Sequence, residues 1–206
     1  MRFLAPAAAA LLLAACSKRS PPAPAPAPAL ARAASQEKIS FKDAEGKPLL
    51  VIKPREDGYK FADGGDQLLG EVKVLEDRVK LKDAKDVEQW KIKRKDYGAE
   101  IENASGARLF RIKRDGDGWK LEDAGDRTIA KAKPKESGFE WRDMDGKTLS
   151  KVKKRDGKVV FEAEDGKRLN DLDGATDPLA AMWFGLERFS LPERAALFAY
   201  FLRVQR

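Results

Sequence analysis

The chain has no histidine in its 206 residues. That removes the commonest general base and the commonest metal ligand. Cysteine is almost missing as well: Cys16 stands alone, which excludes an intrachain disulfide and a thiolate metal cluster. Without histidine or a second cysteine no familiar nucleophilic dyad or triad assembles, so the chain reads as a non-enzyme with no cofactor. An enzyme here would need carboxylate-only chemistry. The first 36 residues lack Asp and Glu altogether, yet they hold Arg2, Lys18, Arg19 and Arg32. These four account for most of the formal net charge of +7, and the rest sets 37 basic residues against 34 acidic ones. That balance reads as a finely mixed surface, which argues against a nucleic-acid partner. Apolar residues at 42% exclude wholesale disorder, although 36% of the chain is charged.

What is present begins with an export signal. "MRFLAPAAAALLLAAC" has a basic start at Arg2, an apolar run too short to span a bilayer, and small residues before Cys16. Residues 1–15 are read as a signal peptide. Leu13-Ala14-Ala15-Cys16 resembles the lipobox of bacterial lipoproteins. That resemblance implies cleavage before Cys16, diacylglycerol on its sulfur and acylation of the new amino terminus. At about 0.8 kcal/mol per buried methylene, several acyl chains hold a protein firmly on a membrane. Ser17 after the cysteine implies sorting to the outer membrane, facing the periplasm. Residues 16–36 continue into "SPPAPAPAPALARAAS", whose alternating Pro and Ala favour an extended spacer.

Residues 37–174 carry a period of twenty. Gly46, Asp66, Asp86, Gly106, Asp126, Gly146 and Gly166 share one register. Three positions earlier stand Asp43, Asp63, Asp83, Asn103, Asp123 and Asp143, with Ala163 as the departure. Five and seven positions earlier are apolar columns, Phe41 to Phe161 and Ile39 to Val159. Seven positions later comes a lysine column: Lys53, Lys73, Lys93, Lys113, Lys133 and Lys153. Such repeats signal an array of small supersecondary units. Each unit reads as a hairpin: alternating strand, Asp-x-x-Gly turn, alternating strand. Gly58, Gly98, Gly118 and Gly138 mark the return loops, where a positive backbone angle is cheap.

A parallel solenoid with twenty-residue coils is the competing arrangement. It would stack the lysines about 4.8 Å apart as a like-charge ladder, which is destabilising. An antiparallel meander places another strand between equivalent residues and lets opposite charges alternate. The expected fold is therefore mainly β, a meander of about 12–14 strands from seven hairpin repeats. A sheet that long leaves edges and a bare apolar face unless it closes into a barrel, and a wide barrel needs a filling.

Residues 175–206 supply it. Asp177-Pro178 caps a first helix, "PLAAMWFGLERF". Ser190-Leu191-Pro192-Glu193 has capping-box spacing and opens a second, "LPERAALFAYFLRV", which is apolar nearly all round from Ala195 to Leu202. The terminal helix is expected to pack inside the barrel. Strands such as "FEWRDMDGKTLSKV" followed by an apolar terminal helix resemble the tubby-like superfamily, which includes phospholipid scramblases and LURP-one-related proteins. The resemblance implies a twelve-stranded antiparallel barrel around a central helix and an association with membrane lipids. No ligand residue of that superfamily carries over to this chain.

Candidate sites are few. "NDLDGATD" brings Asp171, Asp173 and Asp177 close in sequence, which suits a hard cation such as calcium, although Asp177 also serves as a helix cap. "DMDGKTLS" lacks the later ligands of a calcium loop, and its Asp143 is the turn residue of its repeat. The lysine column suits anionic envelope components, and equally a solvated face that blocks aggregation. Trp90, Trp119, Trp141 and Trp183 read as core. The functional expectation is a lipid-anchored, non-catalytic binding module of the cell envelope, with the membrane as partner through Cys16. A lipid-handling protein whose helix shifts to open an apolar lumen is the alternative.

Overall fold

A computed structural model of the chain describes residues 38–175 and 177–203. Residues 1–15, read above as a signal peptide, Cys16 and the Pro/Ala stretch lie outside the described residues. The odd strands are β1 (Ile39–Asp43), β3 (Gly58–Ala62), β5 (Arg78–Asp83), β7 (Gly98–Asn103), β9 (Gly118–Asp123), β11 (Gly138–Arg142) and β13 (Lys158–Glu162). The even strands are β2 (Pro48–Arg55), β4 (Leu68–Val74), β6 (Glu88–Lys95), β8 (Arg108–Asp115), β10 (Thr128–Lys135), β12 (Thr148–Arg155) and β14 (Arg168–Asp173). Each strand pairs antiparallel with its sequence neighbours, and β1 pairs with β14 to close a fourteen-stranded barrel. Closure sets Phe41 opposite Leu172 and leaves no free edge. The strand count exceeds the twelve implied by the tubby-like resemblance.

The twenty-residue register comes from the turn. In the first hairpin Gly46 N donates to Asp43 O at 3.1 Å, and Asp43 N donates to Lys47 O at 3.0 Å. This is a type I turn followed by a left-handed residue, which needs φ > 0 at its last position. That position holds Gly46 (φ 86°) or, in other repeats, Asp66 (φ 64°), Asp86 (φ 65°) and Asp126 (φ 64°). Asp is among the few non-glycine residues that tolerate this conformation, which explains why the column contains only Gly and Asp. The repeat's leading carboxylate binds the turn itself: Asp63 Oδ1 accepts from Gly65 N at 2.8 Å and from Gln67 N at 2.9 Å.

Three residues past each of these positions the even strand carries one unpaired extra residue. Phe41 faces Leu50 and Lys42 faces Pro48, so Leu49 is left over. The same slip leaves out Leu69, Gln89, Leu109, Ile129 and Leu149. Bulges of this kind bend and twist a strand, the deformation that a sheet needs to close.

The return glycines divide: Gly58 (φ 158°) and Gly98 (φ 139°) have the positive angle expected, and the other two have a different cause. At Gly118 and Gly138 the need is space. An added Cβ would lie 2.2 Å from Ala132 O and 2.0 Å from Val152 O respectively, inside the neighbouring strand's backbone.

The C-terminal segment fills the barrel, but as a hairpin rather than one rod. After β14 the chain turns inward. Asp177 Oδ1 accepts from Leu179 N at 3.0 Å and caps α1 (Pro178–Ala181). The expected first helix ends early: it tightens into a 3-10 turn over Met182–Gly185, and Leu186 leaves helical geometry. Glycine inside a helix is unfavourable, and a Cβ at Gly185 would also sit 2.3 Å from Ser150 Oγ. The chain then reverses through Glu187–Ser190 and re-enters as α2 (Leu191–Arg203). Ser190 N donates to Glu193 Oε2 at 2.7 Å, one half of the expected capping box. Thirteen residues give α2 about 20 Å, enough to cross the lumen. Every residue from Ala195 to Leu202 is buried.

Candidate functional site

Among the described residues the lumen is filled by side chains of the wall and the plug. Trp141, Trp183, Phe198, Tyr200 and Phe201 are each at most 1% exposed. The Trp141 and Trp183 rings meet at 5.1 Å, and Trp183 meets Phe201 at 4.8 Å. Trp141 Nε1 donates to Met182 O at 2.9 Å and Tyr200 Oη to Gly98 O at 2.8 Å, so wall and plug are hydrogen-bonded together. All four tryptophans are core, as expected. Ser150 Oγ and Trp183 Nε1 have no hydrogen-bond partner among the described residues. They flank Trp141, since Ser150 pairs with it across β11–β12.

The two mouths of the barrel differ. Lys38, the first described residue, lies beside Gly174 at the mouth formed by the return loops. Arg203, the last, donates to Tyr59 Oη at 3.0 Å at the same end. The opposite mouth, formed by the Asp-x-x-Gly turns, is plugged by the Leu186–Ser190 loop. There Arg194, partly buried, donates to Phe189 O at 2.6 Å and to Phe184 O at 3.2 Å. Burial pushes its pKa down, while Glu187 and Glu193 oppose that shift. Two shallow grooves flank the plug loop. One of about 290 Å³ runs along Ile129, Leu149 and Arg188, and another of about 200 Å³ along Leu69, Trp90 and Pro192. Exposed Leu68, Val87, Met144 and Leu149 all lie around this mouth.

The carboxylates singled out for calcium are each engaged elsewhere. Asp171 is 2% exposed and held by Arg168 and by Lys158 at 3.2 Å. Asp173 pairs with Lys42 across the closing seam. Asp177 caps α1. Asp143 Oδ1 accepts from Asp145 N and Lys147 N, the turn role that its register implies. Among the described residues no three acidic side chains converge as a metal site would require.

The outer wall holds the main surprise. Some rows across the strands alternate in charge as expected: Lys93–Glu100–Arg111–Glu122 and Lys133–Glu140–Lys151–Glu162. Others do not. Lys73, Lys80 and Lys91 are directly opposed across β4–β6. Lys113, Lys120, Lys131 and Arg142 are directly opposed across β8–β11. The meander therefore does not separate like charges everywhere, because the slip between strands aligns lysines from different columns. The acids that neutralise these rows are partly exposed, as Asp57 is beside Lys73 and Asp115 beside Lys131, and partly buried. Glu122, 3% exposed, forms ion pairs with Lys113 at 2.7 Å and Lys120 at 3.0 Å. Burial alone would raise Glu140's pKa, but hydrogen bonds from Arg142, Thr148 and Lys135 outweigh it and bring the value down to about 2.

Charge is thus sorted rather than finely mixed. Lysine and arginine dominate the wall, while every turn at the plugged mouth except Asn103–Gly106 carries two acids. A near-neutral total conceals this polarity. A wall bearing Lys113, Lys120 and Lys131 is the inverse of a membrane-spanning barrel, whose lipid face is apolar and whose interior is polar. No helix among the described residues is long and apolar enough to cross a membrane.

Comparison with protein-family models, with curated proteins and with solved structures finds no match.

Proposed function

We propose that this is a membrane-anchored lipoprotein of the cell envelope whose barrel is a non-catalytic binding module. One observation carries the reading: the barrel's lumen is packed by the chain's own terminal hairpin, so recognition has to use the outside. The lipobox at Cys16 supplies the address. Both ends of the described body emerge at the return-loop mouth. Cell fractionation of wild type against Cys16→Ser tests the anchor. Wild type is expected with membranes and the variant in the soluble envelope fraction. Equal distribution of both in soluble fractions refutes it.

A second reading, lipid handling by movement of the plug, draws on the topology. The plug joins the barrel covalently only after β14, so its withdrawal breaks no strand pairing. Native mass spectrometry separates the two: co-purifying phospholipid supports plug movement, and a lipid-free mass supports the sealed binding module.

A further inference from the structure

The geometry points to the wall over β8–β11 as a docking face for a phosphate-bearing lipid surface, with the Lys113–Lys120–Lys131–Arg142 row as its contact line. This deepens the reading above and rests on it for the source of the phosphate. Four directly opposed cations are unfavourable in a sheet. The fold does not demand them, since the two rows flanking this one alternate in sign with the same backbone. The row spans three strand spacings, about 14 Å. Lys113 and Lys120 share one buried carboxylate, Glu122, while Lys131 pairs with Asp115 at 3.1 Å and Arg142 with Glu140 at 2.7 Å, so four cations stand against three acids.

Two further features shape the contact. The exposed large apolar side chains, Leu68, Leu75, Val87, Met144 and Leu149, all sit at the mouths. Contact through the row is therefore electrostatic and involves no insertion. The acidic turns repel an anionic surface, so the barrel lies on its side rather than standing on the plugged mouth. The membrane anchor proposed for Cys16 makes lipid, rather than nucleic acid, the phosphate carrier that this cationic wall meets.

The test uses the chain from Ser17 onward without lipid, because the barrel closes and fills within residues 38–203. Binding to vesicles of phosphatidylcholine with phosphatidylglycerol, and of phosphatidylcholine alone, is measured at low and high salt. Binding is expected only to the anionic vesicles, falling with salt. Lys120→Gln with Lys131→Gln leaves Glu122 its Lys113 partner and should weaken binding about 30-fold, at roughly 1 kcal/mol per lysine near an anionic membrane. Its melting temperature should be unchanged or raised, which separates lost binding from lost fold. Lys53→Gln with Lys60→Gln removes the same charge from β2 and β3, on the opposite side of the barrel, and should bind as wild type does. Equal loss in both double variants, or none in the first, overturns the proposal. So does displacement by inorganic phosphate at an ionic strength where chloride fails, which would assign the row to isolated phosphate. Binding to a duplex oligonucleotide without binding to vesicles also overturns it. The chain tested carries no lipid, so these outcomes are independent of the Cys16 fractionation.

Discussion

Trp141 in the wall donates its indole N–H to the carbonyl of Met182 in the plug, at 2.9 Å and fully buried. This bond fixes where the 3-10 turn seats against β11. Trp141→Phe keeps most of the ring but strands the carbonyl in an apolar lumen. Leaving such a group unsatisfied costs about 1–3 kcal/mol. In a domain of this size each kcal/mol corresponds to about 2–4 °C. Thermal denaturation followed by circular dichroism should show a drop of several degrees.

Glycine matters at two kinds of position, and one pair of variants separates them. Gly138→Ala drives a Cβ to 2.0 Å from Val152 O, a backbone atom held in the ladder. It should destabilise by about 1–3 kcal/mol, as overpacking does. Gly146 has φ 85° with nothing within 4 Å of its added Cβ. Gly146→Asn should be nearly neutral, because asparagine tolerates that angle. Urea unfolding of both variants compares the two costs.

Arg194 should act as the clasp of the plug loop through its bonds to Phe184 O and Phe189 O. Arg194→Met retains the aliphatic stem and loses both bonds. Hydrogen exchange is expected to rise over residues 184–192 and to change little in β5–β8. Uniform acceleration across the barrel would instead mean that the clasp supports the whole fold.

Acid should reveal the buried carboxylate layer. With a native pKa near 2 against an ordinary 4.5, Glu140 stabilises the fold above about pH 4.5. That contribution declines as pH falls from there and is gone once pH passes below the native value. Glu140→Gln should therefore be less stable than wild type at pH 7, with the gap closing toward pH 2. A gap independent of pH would assign the cost to packing.

Much of this architecture was legible in the chain. The alternation of Trp119-Lys120-Leu121, the fixed Asp-x-x-Gly spacing, the Asp177 cap and the apolar run Ala195–Leu202 are local signals, and local physics preserves them in the fold. What stayed hidden depends on partners far apart in sequence. That Lys120 faces both Lys113 and Lys131 follows from strand slip and bulge placement, neither of which a composition or period reports. The early end of the first helix at Gly185 reflects a close approach to Ser150, a neighbour 35 residues away. The outer row and its buried acids, the most informative part of the candidate site, belong to this second kind.

The central claim is that the barrel exists only around its terminal plug. Leu197, Phe198, Tyr200, Phe201 and Leu202 are all buried in the lumen. At about 1.5–3 kcal/mol for each large apolar side chain, their burial rivals the whole stability of a typical domain, about 5–15 kcal/mol. The direct measurement is the thermal melt of a chain ending at Ser190 beside that of the full chain. Loss of the cooperative transition is the predicted result, and a cooperative melt at an unchanged midpoint would contradict it.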